Sequence, residues 1–183
     1  MILRGNRVYL RDYIFNDIND HILWNTLETE WLQWDAPWEQ NDFDVNRYID
    51  MMTQRLLLPK TDLDIRWSFQ IAKIDDDTHI GWVSSYDIDN NYEYTQDAKN
   101  LTLGIDIPLQ EHRSCGFGKE ALTLFINYYK SKGYKELYTQ TWSGNFNMVK
   151  LAQSLGFLEA HRIKNFRLVD GLYYDALTFK LTF

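Results

Sequence analysis

Cysteine is almost missing from this 183-residue sequence, with Cys115 alone. That excludes a disulfide framework and a cysteine-built zinc site, and it suits a reducing compartment. Three prolines and nine glycines are too few for a disordered or fibrous chain. No apolar run approaches the roughly 18–20 residues of a membrane span. The opening MILRGNRVYLRDY mixes in charge and has no signal-peptide core, so the expected compartment is cytoplasmic. Basic residues are outnumbered 19 to 26, for a net charge of −7. No basic patch stands out to neutralise phosphates, so neither nucleic acid nor a membrane surface is an expected partner.

Aromatic side chains, by contrast, are abundant at 16%, within an apolar share of 45%. One domain spanning 1–183 is expected, with enough apolar mass for a core and aromatics left over for a pocket. Acid gathers at Glu28, Glu30, Asp35, Glu39, Asp42 and Asp44, and again in residues 75–77 and 87–93. Such clusters read either as solvated surface or as a pocket that attracts a cationic amine. Four histidines are scattered without metal-ligand spacing, and no metal is expected.

Val8 and Leu10 alternate as a first strand would. Residues 16–29 carry Ile18, Ile22, Leu23 and Leu27 at helical spacing, with Asn16 or Asp17 as cap. WLQWDAPW, broken by Pro37, predicts a loop, and residues 44–58 a helix stopped at Pro59. WSFQIAKI and HIGWVSSYDI predict a hairpin, followed by a polar loop over 89–100 and the strand LTLGIDI. A glycine-rich turn then runs into a helix closed at Gly133, followed by the strand ELYTQTW and a short helix over 145–154. Two alternating strands around Asp170-Gly171 close the chain. The expected fold class is α/β, a mixed and mostly antiparallel sheet of about seven strands with flanking helices.

The turn Arg113-Ser114-Cys115-Gly116-Phe117-Gly118 lies between strand LTLGIDI and the helix from Lys119. Its glycines let the backbone approach a ligand, and the free N–H groups of a first helical turn hold anions. It is neither a Walker loop nor a dinucleotide turn. A tight strand-to-helix connection without ligand is the plain alternative.

RSCGFGKEAL resembles the R/Q-x-x-G-x-G/A motif of the GNAT acetyltransferases, and GNFNMVKLAQSLGF resembles their second motif. RVYLRDYIFNDI and RLVDGLYYDALTFKL resemble the branch with ribosomal-protein N-terminal, spermidine and aminoglycoside acetyltransferases. The resemblance implies a single GNAT domain in which acetyl-CoA enters a V-shaped gap between the splayed fourth and fifth strands, LTLGIDI and ELYTQTW. It implies pantetheine on the backbone around Ile107 and Leu109, and pyrophosphate on the N–H groups of Arg113, Ser114, Cys115, Gly116, Phe117, Gly118 and Lys119. Asn145 would hold the pantetheine arm, cap its helix, or do both. The implied reaction is direct acetyl transfer in a ternary complex to a primary amine, either a small cationic amine or a peptide N-terminus.

The acid–base half departs from the family pattern. The slot of the common fourth-strand Glu holds Leu103, that of a general-acid Tyr holds Ala152, and that of a Ser after the Asn holds Met148. Pro108, taken as part of the fourth strand, cannot donate an N–H. Candidate catalytic groups are Asp106, Asp87, Tyr86 and Asp35. Trp34, Trp38 and Trp82 are candidates for binding the acceptor. Trp24, Trp31, Trp67 and Trp142 are expected to pack, and Cys115 to be structural. An acyl-CoA-binding module without turnover is the alternative function, and the terminal hairpin offers a surface for a homodimer.

Overall fold

Alternation along Val8–Arg11 (β2) buries Val8 and Leu10, and β2 pairs with Ser68–Lys73 (β3). A three-residue strand, Ile2–Arg4 (β1), folds back on β2. These strands belong to a nine-stranded sheet in a computed structural model that describes residues 1–39, 41–59, 61, 63–97 and 99–183. Ala98, inside the expected polar loop, lies outside the described residues. The other strands are His79–Ile88 (β4), Tyr94–Thr95 (β5), Asn100–Asp106 (β6), Glu136–Trp142 (β7), Leu158–Val169 (β8) and Leu172–Thr182 (β9). Their order is β1-β2-β3-β4-β6-β7-β9-β8, with β5 on β4. The two strands beyond the expected seven are β1 and β5, three and two residues long. Segments that short show no alternation to read.

All pairings are antiparallel except β6–β7, which registers at a single pair, Thr102 with Tyr138. The sheet is therefore splayed between β6 and β7, as expected. Pro108 falls beyond β6, which ends at Asp106, so it interrupts no ladder.

Helix Phe117–Ser131 (α4) covers one face. Its Ala121, Leu122, Phe125 and Tyr129 pack against Leu10, Phe69, Ile71, Val83 and Leu103. The opposite face meets Asp17–Thr26 (α1), whose buried stripe is Ile18, His21 and Trp24, while Leu23 and Leu27 are exposed. The expected aliphatic stripe thus differs from the buried one, which uses His21 and Trp24 in place of Leu23 and Leu27. Asn16 makes no side-chain cap at α1. Asp17 instead accepts from Ile14 N at 2.8 Å and from both terminal nitrogens of Arg11 at 2.7 Å.

WLQWDAPW is not a plain loop. A 3-10 turn, Thr29–Trp31, leads into one helical turn, Leu32–Asp35 (α2). Pro37 restricts only the residue before it, and Ala36 leaves the helical region accordingly. Val45–Leu57 (α3) starts at Asp44, whose carboxylate accepts from Arg47 N at 3.0 Å. Phe146–Ser154 (α5) follows β7. Asp170 and Gly171 both have positive φ in the β8–β9 turn, as a tight hairpin requires. Among the described residues, no helix is long and apolar enough to cross a membrane.

The histidines are less scattered in space than in sequence. His21 and His79 meet at Gln70 Oε1, at 2.8 and 3.0 Å, and His79 Nδ1 lies 2.7 Å from Asp20. Asp17, Asp20 and His79 each bring a potential ligand atom within 4.8 Å of the others. The Arg11 guanidinium already pairs with Asp17 in this cluster.

Candidate active site

The splay opens into a cleft of about 1140 Å³. One wall is the glycine-rich turn. Ser114 and Gly116 both have positive φ, at 57° and 87°, and Gly116 is the left-handed residue just before α4. No side chain caps α4, so its first N–H groups have no partner within the helix. A Cβ on Gly118 would meet Ile107, Ile105 and Leu151 side chains at 3.5–3.7 Å, so the bare glycine leaves a cradle one methyl group deep.

The strand wall follows from alternation. Leu103 O accepts from Thr139 Oγ1 at 2.8 Å, so it faces β7. Successive residues alternate, so the backbone groups of Ile105 and Ile107 face the open seam as well. Arg113 fixes this edge. It donates from Nε to Ile107 O at 2.7 Å, donates to Pro108 O, and pairs with Glu30 at 2.7 Å. Its side chain is thus committed, and only its backbone is free for a ligand.

Of the ten residues expected to hold the cofactor, Ile107, Arg113, Ser114, Gly116, Gly118, Lys119 and Asn145 line the cleft. Leu109, Cys115 and Phe117 do not. Leu109 leads a 3-10 turn, Gln110–His112, beyond the strand end. Phe117 points into the core. Cys115 is exposed, and its carbonyl accepts from Arg7 at 2.7 Å. Asn145 caps α5, accepting from Met148 N at 3.0 Å, and its amide nitrogen donates to Trp34 O at 2.7 Å. Trp142 Nε1 donates to the same carbonyl at 2.9 Å. With Glu30 held by Arg113 and Trp34 O held from the β7 side, the 29–35 segment is fastened to both arms of the splay.

The acceptor half of the cleft holds the acids. Trp82, Ser84 and Tyr86 pair with Asp106, Gly104 and Thr102, so Tyr86 and Asp106 share the cleft face of the sheet. Asp87 has the other parity and faces α4, accepting from Lys99 N at 3.1 Å. It does not reach the cleft. Asp106 does, with Asp35 and Tyr86. Desolvation pushes Asp106 up to about 8, and the nearby Asp35 charge adds to the shift. Asp35 is itself raised, by desolvation and then by Glu39. Tyr86 is raised for the same reasons, burial first and Asp35 second, and it donates to Gln140 at 3.1 Å.

Trp34 and Trp38 line the cleft, but Trp82 does not. Trp82 packs on Trp24 and His21 and stands edge-on behind Trp31 at 5.3 Å. Trp31 and Trp142, expected only to pack, do line the cleft, as do Tyr92, Phe166 and Arg167. Trp142 was legible in principle, because alternation along β7 places it on the face of Gln140. Tyr92 lies in a stretch read only as polar, and no local pattern marks it.

Comparison with known proteins places this geometry. A family model described as the acetyltransferase (GNAT) domain matches residues 7–158. The chain is 26% identical over 114 residues to the SPbeta prophage-derived uncharacterized N-acetyltransferase YokL of Bacillus subtilis (strain 168). That match covers 61% of this chain and spans 60% of the length of the relative. Among solved structures, the ribosomal-protein-S5-alanine acetyltransferase of Vibrio fischeri superposes with a TM-score of 0.73 at 16% identity, covering 100% of this chain and 96% of the other. Spermidine N-acetyltransferase of Vibrio cholerae, in complex with CoA and spermine, does so with 0.72 at 16% identity, covering 97% and 96%. Both share the fold. The chain belongs to the GNAT acetyltransferase family.

Proposed function

We propose that the protein transfers an acetyl group from acetyl-CoA to a primary amine by direct attack in a ternary complex. One observation carries the reading: an uncapped helix start behind a left-handed glycine opens into the same cleft as the Asp35–Asp106–Tyr86 group. The donor residues fit an extended thioester with a pyrophosphate. The N–H groups at the start of α4 suit the diphosphate, Gly118 leaves room beside it, and the seam edge of β6 offers unpaired backbone groups to the pantetheine amides.

When bound, acetyl-CoA supplies an activated acetyl thioester. Asp106 accepts a proton from the incoming ammonium, because desolvation makes its carboxylate a stronger base than an exposed one. Asp35 keeps that carboxylate basic by its charge and attracts the cationic amine. The Ile107 N–H, directed into the seam, is placed to donate to the thioester oxygen. The amine nitrogen then bonds to the acetyl carbon as the C–S bond breaks; a second proton leaves that nitrogen for the departing thiolate, and Asp106 returns the first to solvent.

Calorimetric titration with acetyl-CoA, with other nucleotides as controls, tests the donor half, and thiol release with a panel of amines tests the transfer. Micromolar, acetyl-CoA-selective binding with amine-dependent thiol release is expected. Selective binding without release for any amine would favour an acyl-CoA-binding module, and no binding would remove the donor assignment.

A further inference from the structure

The hairpin wall of the cleft carries an arginine without an acid. Arg167 lies with its guanidinium 4.1 Å over the Phe166 ring and 5.6 Å from the Trp38 ring centroid, and it lines the cleft. Among the described residues its one hydrogen bond is a long one, 3.4 Å, to the carbonyl of adjacent Phe166. Among the described residues it makes no ion pair. Arg4, Arg7, Arg47 and Arg55 also lack an ion pair among the described residues, but Arg167 alone of these lines the cleft. Arg162, on the same strand, holds Glu159 and Asp175 at 2.7 and 2.6 Å. Arg113, the other cleft arginine, holds Glu30. Arg11 and Arg66 hold Asp17 and Asp12.

A guanidinium held over aromatic rings still has N–H groups to donate, and their fork matches the two oxygens of a carboxylate. Glu39 and Glu93 also line the cleft, and neither is paired with it. The acids at Asp35 and Asp106 and the cation at Arg167 thus lie on different walls of one cleft. This is the complement of a molecule bearing both an ammonium and a carboxylate.

We infer that Arg167 binds a carboxylate of the acceptor, so that the acceptor is an amino acid or an acidic peptide end rather than a polyamine. This rests on the transfer reading above. The test compares free L-amino acids, their α-amides, the amines lacking the carboxyl group, and amide-capped peptides with Asp or Glu in second place. Thiol release with acetyl-CoA is measured for the wild type, Arg167→Met and Arg167→Lys.

A carboxylate-bearing probe should exceed its uncharged counterpart by roughly 10- to 100-fold in kcat/KM, as expected for hydrogen bonds to a charged group. Arg167→Met should erase that preference through KM, Arg167→Lys should restore part of it, and acetyl-CoA affinity by calorimetry should stay unchanged. Preference for free amino acids or for acidic peptides identifies the source of the carboxylate. Equal or better use of amides and simple amines overturns the inference, as does a preference that survives Arg167→Met. Acetyl-CoA binding with no acetylation of any carboxylate-bearing probe overturns it alone. Failure to bind acetyl-CoA overturns the transfer reading and this inference together.

Discussion

The side-chain amide of Asn145 donates to the carbonyl of Trp34 at 2.7 Å, joining residues 111 apart in sequence. The same amide caps α5 through its oxygen. Asn145→Asp keeps the accepting oxygen and loses the donor, whereas Asn145→Ala loses both. The alanine variant should be less stable by about 1–2 kcal/mol from the cap alone, and the aspartate variant by less. Urea unfolding measures both losses. Acetyl-CoA affinity should weaken in Asn145→Ala; an unchanged affinity would leave Asn145 with its capping and fastening roles only.

Gly116 and Gly118 separate backbone conformation from space. Gly116→Ala should cost about 1–2 kcal/mol in stability, because φ is +87°. Gly118 sits in the first turn of α4, and an added methyl group meets only ordinary contacts. Gly118→Ala should therefore leave thermal stability unchanged or raised, yet it fills the cradle. At least a tenfold loss of acetyl-CoA affinity is expected for it; full affinity in a well-folded Gly118→Ala protein would show that the diphosphate sits elsewhere.

Asp106 sets a pH dependence with two readouts. As a base it must be ionised, so kcat/KM should climb as pH rises through about 8, and Asp106→Asn should be slow at all pH values. The stability effect has the opposite sign. The folded carboxyl holds its proton where the unfolded one, near pH 4, has released it, so stability declines between about pH 4 and 8. Asp106→Asn removes that decline. Its melting temperature should exceed the wild type's at pH 8 and match it near pH 3.5, in thermal scans across that range.

Glu120 anchors the N-terminal hairpin. Its Oε1 accepts from Arg7 N at 2.9 Å and from Asn6 N. Glu120→Ala strips both N–H groups of their partner and should cost about 1–3 kcal/mol. The loss should appear as faster amide exchange at Asn6 and Arg7, with α4 itself unaffected.

Local chemistry made much of this molecule legible. The Asp170-Gly171 hairpin, the stop of α3 before Pro59 and the glycine turn before α4 each need only a few adjacent residues. What escaped depends on partners distant in sequence. Asp87 and Tyr86 are neighbours, and only the pairing of β4 with β6 decides which one faces the cleft. Trp82 points to the same side as Tyr86, yet α1 and Trp31 cover it, and no spacing in the sequence reveals that cover. Leu109 was expected on a strand that ends three residues earlier. Arg167 resembles any hairpin arginine in the sequence, and only the fold brings it, unpaired, to the cleft wall.

The seam between β6 and β7, registered at Thr102 and Tyr138 alone, also divides the molecule as a folding unit. Six strands lie on one side and three on the other, and side chains such as Leu103, Leu137 and Phe179 join them in one core beneath the seam. Such a boundary favours partial opening over all-or-none unfolding. Amides of β7, β8 and β9 should then exchange by a shallower route than those of β3 and β4. A ligand laid along the seam would couple the halves, and at 100 times its Kd it would add about 2.7 kcal/mol to the folded state. The same gap that admits a ligand would make ligand concentration a control on how cooperatively the chain unfolds.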